Sequence, residues 1–259
     1  MGAELVALRI DLVAEEQLRY KIHGLATGRA LESVAKNVRP GMTEVAVAGL
    51  LASEIYRCGA VPVTILVAAD DRIRRFRHPV PTSEQVVRQR CMLVVCARRH
   101  GLIASATRMV SFAGGSDDEE EEDEMKEDLV RMNACAVIDA KAWHATISGR
   151  TLGEVFDVMS AAYKDAGFAG EERLHHQGGI TAYENREVLV RPGSTQHVAL
   201  GQAFAYNPSI SGAKCEDTML LTEDGPVALT ATGEWPTLAV PVEGKMYQRP
   251  VTLRIKISL

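Results

Sequence analysis

The chain has 259 residues, of which 46% are hydrophobic and 24% charged, the balance of a globular protein with a sizeable buried core in one large or two small domains. No run of about 18 apolar residues is present to span a bilayer, and acids near the start replace the basic-then-apolar pattern of a secretion signal, so no membrane partner and a cytoplasmic location are expected. The formal net charge of −5 conceals an unbroken acidic run, Asp117 to Glu124, without which the chain carries about +3; no basic patch is interleaved with aromatics, so nucleic acid is not an expected partner.

In chain order, Glu15 to Val38 has a helix-forming composition, with Leu18, Ile22, Leu25 and Ala26 falling on one face. Arg39-Pro40-Gly41-Met42 stops that helix, and Thr43 is placed to cap a second one running to about Cys58. β-rich runs follow at Val61 to Ala68, Met92 to Ala97 and Leu102 to Phe112, and the Arg/Gly turns between them predict antiparallel pairing. The acidic run, introduced by Gly114-Gly115-Ser116, reads as a solvated surface loop over 114–127 whose like charges repel, the alternative being a docking tail for a basic partner. Two further helices are expected at Lys126 to Ile147 and Thr151 to Ala166, the second with Thr151 and Glu154 as a capping box and Gly167 as its stop. From about Tyr183 onward the chain is strand-like, with turns at Pro192-Gly193 and Asp224-Gly225-Pro226. Two successive helix-and-strand units predict an α+β fold, taken as one domain over 1–259. The five cysteines are odd in number, dispersed and never spaced C-x-x-C, so they read as reduced thiols with no zinc or redox motif.

Two stretches carry most of the functional information: His175-His176-Gln177-Gly178-Gly179, and Asn207-Pro208-Ser209-Ile210-Ser211-Gly212-Ala213-Lys214-Cys215-Glu216-Asp217-Thr218. Together with Arg39-Pro40-Gly41-Met42-Thr43-Glu44 they resemble the creatinase/methionine aminopeptidase/Xaa-Pro aminopeptidase superfamily, over roughly Glu15 to Thr230. The resemblance implies the pita-bread fold: α+β, a curved antiparallel sheet covered by helices, with an internal pseudo-two-fold. The N-terminal domain of creatinase and Xaa-Pro aminopeptidase is not expected here, and a homodimer is, by analogy with that branch.

Relatives that hold two metals use five ligands, which by this resemblance fall on Val94, Ser105, His176, Asn207 and Glu216, with Thr107-Arg108 fixing the register. Four carboxylates are reduced to one, so no catalytic metal and no cofactor are expected. A single-metal site on His176, Asn207 and Glu216 is the weaker alternative. The catalytic candidates are His176, Glu216, Tyr183 and His78; the substrate-binding candidates are Arg186, Asn207, Ser105 and His175. His176 is the expected proton carrier, with Gly178 and Gly179 letting backbone approach a ligand, although His175 competes for the same role. A metal-free buried Glu216 is expected to have a raised pKa and to act as acid or base, or to pair with His176 or Lys214. Tyr183 stands where many relatives place a second histidine and is a candidate oxyanion donor, the alternative being a tyrosine packed at the core edge. Arg186 is a candidate clamp for a substrate carboxylate, or else an exposed turn ion pair. His78 is a substrate-facing candidate through the family register alone, and otherwise a loop histidine beside prolines. His100 reads as exposed. The functional expectation is a metal-independent enzyme acting on a small-molecule or peptide-like polar substrate by His/Glu acid–base chemistry, a C–N hydrolase or a related lyase or isomerase. The alternative is a pseudoenzyme that binds a peptide or small ligand without turnover.

Overall fold

The computed structural model describes residues 3–113 and 119–256. The first half contains α1 (Ala3–Ile10), α2 (Ala14–Asn37), α3 (Glu44–Arg57), β1 (Val61–Ala69), the short α4 (Asp71–Arg75), β2 (Arg90–Arg99) and β3 (Leu102–Ala113). The second contains α5 (Glu119–Ala145), α6 (Leu152–Asp165), β4 (Gly178–Thr181), β5 (Val188–Leu189), β6 (Ala203–Tyr206), β7 (Ser209–Ile210), β8 (Ala213–Lys214), β9 (Asp217–Thr222), β10 (Gly225–Ala228), β11 (Thr237–Val242), β12 (Lys245–Pro250) and β13 (Leu253–Lys256). The arrangement is the expected α+β one, a helix pair against a sheet, twice. One sheet has the order β1-β2-β3-β13 and packs on α2 and α3; the other has the order β10-β9-β6-β4-β5 and packs on α5 and α6. All pairs in the second sheet are antiparallel, whereas β13 joins β3 in parallel and so departs from a purely antiparallel sheet. The two sheets meet at an isolated bridge between Thr107 and Glu216, which sets the site at their junction.

Local chemistry explains most element ends. Thr43 Oγ1 accepts the Ala46 N–H and caps α3, while Thr151 and Glu154 form the expected reciprocal box on α6. His100 and Gly101 both take positive φ, the conformation that closes a two-residue hairpin between β2 and β3, and His100 is exposed as expected.

Three expectations need correction. The buried face of α2 is not Leu18/Ile22, which are 60% and 58% exposed, but Tyr20, His23, Gly24, Thr27, Gly28 and Leu31. The reason is close approach: a Cβ on Gly28 would lie 2.0 Å from the Thr230 carbonyl oxygen, so small residues face inward and the apolar period points out. The acidic segment is helical from Glu119, not a loop through 127; residues 114–118 lie outside the described residues. Glutamates favour helix, and acids suit an N-terminal turn; Glu124 and Asp128 are further anchored by Arg74 and Arg90. Finally, Gly178 and Gly179 do not open space for a ligand. They let β4 lie between its neighbours, since added Cβ atoms would meet Ala205 O at 2.1 Å and Val188 O at 2.0 Å.

Candidate functional site

Glu216 sits between β8 and β9, its backbone bridged to Thr107. Its carboxylate accepts Arg186 Nη2–H at 2.8 Å and Thr107 Oγ1–H at 2.7 Å, and Lys214 Nζ stands 3.3 Å away. All three charged side chains are almost wholly removed from water, with side-chain exposures of 2% for Glu216, 3% for Lys214 and 8% for Arg186. Burial by itself would raise the Glu216 pKa, but Lys214, Arg186 and the Thr107 hydroxyl outweigh it and hold the carboxyl at about 2. The expectation of a raised pKa is therefore overturned: Glu216 is a fixed anion at neutral pH, bound to Lys214 as one alternative anticipated and not to His176.

Three imidazoles gather above this ion cluster. The rings of His78 and His176 stack with centroids 5.4 Å apart, and His175 lies 5.7 Å from His78 and 6.0 Å from His176. His78 and His176 keep part of their surface in solvent, and His175 is half-buried. Loss of water lowers all three pKa values, to about 4 for His176, where Arg186 adds repulsion, and to about 3 for His175, against a favourable bond to the Asn207 carbonyl. His78 shifts the same way, by loss of water and then by the Lys214 charge. All three are neutral at pH 7.

Hydrogen bonds fix which nitrogen carries the proton. The Gly178 N–H donates to His176 Nδ1 at 3.2 Å, so the neutral ring bears its hydrogen on Nε2. The Gly178 N–H, two residues on, thus leaves His176 with a donor at Nε2, a detail the sequence does not reveal. His175 Nε2 donates to Asn207 O at 2.9 Å, and its Nδ1 lies 3.3 Å from the Gln177 amide nitrogen. Tyr163 in turn donates to Gln177 Oε1 at 2.9 Å. With both nitrogens committed, His175 is held in place by the Asn207 carbonyl and the Gln177 amide.

The remaining expected residues divide. Ser105 is fully buried, with its hydroxyl 3.2 Å from Cys96 Sγ and 3.5 Å from Arg186 Nη1. Asn207 is buried, and its Oδ1 has no hydrogen-bond partner among the described residues. Arg186 is not a free clamp, because Glu216 and the Asn185 carbonyl occupy its guanidinium, leaving Nε unpartnered. Tyr183 is misplaced by the sequence reading: its hydroxyl donates to Glu16 on α2 and its ring packs beside Gly101, so its contacts run away from the histidines. Glu16 pushes its pKa up to about 12, with burial adding to the rise, the opposite of what an oxyanion donor needs. The core-edge alternative is the one the structure shows.

Residues the sequence reading passed over hold the site together. Glu44, wholly buried, accepts Ala69 N–H, Thr82 N–H and Arg72 Nε–H at 2.8–3.0 Å, tying down the loop that carries His78. Arg77, beside His78, pairs with Glu171 and donates to Ser209 Oγ. A glutamate just after a helix cap and an arginine in a loop carry no sequence signal for such roles.

Residues 19–223 match the model of metallopeptidase family M24. The chain belongs to metallopeptidase family M24. Solved structures with the same fold include an X-Pro aminopeptidase from Thermotoga maritima (TM-score 0.77, 19% identity, 98% of this chain and 67% of that one). A prolidase from Pyrococcus furiosus (TM-score 0.73, 20% identity, 88% and 67%) and a methionine aminopeptidase from Rickettsia prowazekii (TM-score 0.68, 13% identity, 86% and 100%) share it too. The chain spans about two thirds of the length of these aminopeptidase and prolidase chains. No curated protein sequence matches it. The M24 fold is thereby the pita-bread architecture the sequence resemblance implied.

The family's name implies metal, and the donor set does not fit a dinuclear centre. Val94 is packed in the core, Ser105 and Asn207 bear no charge, and the one carboxylate is already paired with two cations. A dication there would meet two fixed positive charges. A histidine that ligates through Nε2 donates from its other nitrogen to a carbonyl or carboxylate, whereas His176 Nδ1 faces an N–H donor. Among the described residues no group of three or more His, Cys, Asp or Glu is arranged to hold an ion. Nor, among them, is any helix long and apolar enough to cross a membrane.

Proposed function

We propose that this M24 member is a metal-independent enzyme acting on a small polar or peptide-like substrate by proton transfer, as in C–N hydrolysis or a related elimination or isomerisation. The observation that carries this reading is the Lys214–Glu216–Arg186 cluster beneath neutral imidazoles: fixed positive charge stands where relatives place metals, beside groups able to move protons. His176 offers Nε2–H to a carbonyl or developing oxyanion, which a neutral imidazole can do without giving up its proton. His78, stacked on His176 at the solvent edge and with neither nitrogen committed to a partner among the described residues, moves the proton. Glu216 stays ionised throughout and fixes the two cations.

Turnover of amide, guanidino and dipeptide substrates, screened in EDTA, tests this. Activity should survive the chelator, His78→Ala should cost about 10²- to 10⁴-fold in kcat, and His176→Ala should cost about 10²- to 10³-fold. Activity that vanishes in EDTA and returns with metal contradicts the reading. The permanently ionised Glu216 favours the second reading, a pocket that binds a peptide or small ligand without turnover; a ligand bound tightly and released unchanged would select it. A homodimer in the cytoplasm belongs to the proposal as well, with exposed Leu18 and Ile22 on α2 as an apolar surface. A monomer by light scattering at micromolar concentration argues against the dimer.

A further inference from the structure

Two cations face one anion in the ion cluster, and the three imidazoles above it are neutral, so the site carries an uncompensated positive charge. Lys214, with 3% of its side chain exposed, has the Glu216 carboxylate at 3.3 Å as its one partner among the described residues, although an ammonium offers three N–H donors. Buried charges are ordinarily paired and saturated with hydrogen bonds. Next to it, Arg186 Nε is buried and has no hydrogen-bond partner among the described residues. His176 contributes another donor through Nε2, as its bond from Gly178 dictates. The Lys214 charge acts on all three imidazoles and the Arg186 charge on His78 and His176, so the ion cluster and the stacked His78–His176 pair are neighbours.

We propose that Lys214 and His176 form a binding site for a carboxylate of the substrate, a monoanion whose oxygens take Lys214 Nζ–H and His176 Nε2–H and whose charge balances the cluster. This deepens the proposed function and rests on it for the term substrate. Arg186 acts behind the site as the partner of Glu216, the reverse of the division of labour expected from sequence. A planar monoanion cancels the excess charge, whereas a phosphate dianion overshoots it in a space already holding Glu216. The neutral substrate end then lies toward His78, the one ring of the three at the solvent edge with uncommitted nitrogens.

The test follows the imidazole nitrogen and proton resonances of the full chain at pH 7.5 while N-acetylglycine is added, with inorganic phosphate and chloride at equal ionic strength in parallel. Saturable shifts of the His176 Nε2–H signal with N-acetylglycine, absent with chloride and at least tenfold weaker with phosphate, are expected. Lys214→Met should weaken that binding at least tenfold. If Lys214→Met does not fold, Glu216→Gln supplies the opposite sign, because removing the competing anion should tighten binding at least tenfold. No saturable shift up to tens of millimolar, phosphate binding as tightly as the carboxylate, or Glu216→Gln binding unchanged would each overturn the proposal. Binding without turnover of any substrate keeps this inference and removes the enzyme reading; turnover without carboxylate binding does the reverse.

Discussion

Glu216, just before β9, and Asp217, its first residue, are consecutive, yet their side chains enter two different clusters of buried charge. Asp217 accepts Arg108 Nη1–H at 3.0 Å and Thr230 Oγ1–H at 2.7 Å on one oxygen, and Arg249 Nη2–H at 3.1 Å on the other. Arg108 also binds Glu32 and Arg249 binds Asp139, and the two guanidiniums lie over Trp235 and Trp143. Three carboxylates surround two cations there, in a region dry on every side. Around Glu216 the ratio is inverted, two cations to one carboxylate, and the neighbouring His78 and His176 keep surface in solvent. A pleated strand sends alternate side chains to opposite faces, so one dipeptide serves both a sealed brace between the helix layers and an electropositive site. In the first cluster each cation has two carboxylates of the chain as partners, and burial pushes the Asp139 pKa up to about 7; in the second, two cations share one carboxylate.

The largest expected effect breaks the brace. Asp217→Asn removes the anion shared by two buried guanidiniums and should cost on the order of 3–5 kcal/mol of stability by urea unfolding. Glu216→Gln should cost clearly less, because Arg186 keeps the Asn185 carbonyl as an acceptor and 8% of its side chain in solvent, against 1% for Arg108 and Arg249. Equal losses from the two substitutions would show that the clusters do not differ as described.

Acid sharpens the same contrast. His175 and His176 are held near pKa 3 and 4, but near 6.5 in an unfolded chain. Below 6.5 these two groups bind more protons in the unfolded chain, so their contribution is level above that value and declines as pH falls toward about 4 and 3, partly offset by Asp139, whose pKa raised to about 7 adds stability as pH falls through 7. Glu216, depressed from 4.5 to about 2, adds a further loss only below about pH 4.5. Urea midpoints between pH 7.5 and 4.5 should follow that course, and His175→Asn should flatten it. A midpoint independent of pH across the window would mean that the imidazoles are not held neutral.

The smallest effect concerns Ser105, whose hydroxyl makes only a weak contact to Cys96 Sγ and a long one to Arg186. Ser105→Ala should cost no more than about 1 kcal/mol and leave carboxylate binding within about twofold; a loss comparable with Lys214→Met would make Ser105 a working part of the site.

The fold and the location of the site were legible because they depend on local signals: caps at Thr43 and Thr151, a periodic α6, and the two motif stretches that bring His176 and Glu216 into one neighbourhood. The face of α2 was not legible, since the close approach of residues 229–230 selects Gly24 and Gly28 over the leucine stripe. Division of roles within the site was equally hidden. It depends on which long-range partner each group finds: Glu16 for Tyr183, Glu216 for Arg186, a backbone N–H for His176. Lys214, two residues from Glu216, offered a signal in its proximity alone, because strand alternation puts residues 214 and 216 on the same side.

The most direct test of the central claim, that Lys214 and Arg186 supply the positive charge which relatives draw from metal, is a calorimetric titration of the chelator-treated protein with Mn²⁺ at pH 7.5. No saturable uptake below millimolar concentration is predicted, since a dication would find one carboxylate already bound to two cations. Uptake of one or two equivalents at micromolar concentration would contradict it.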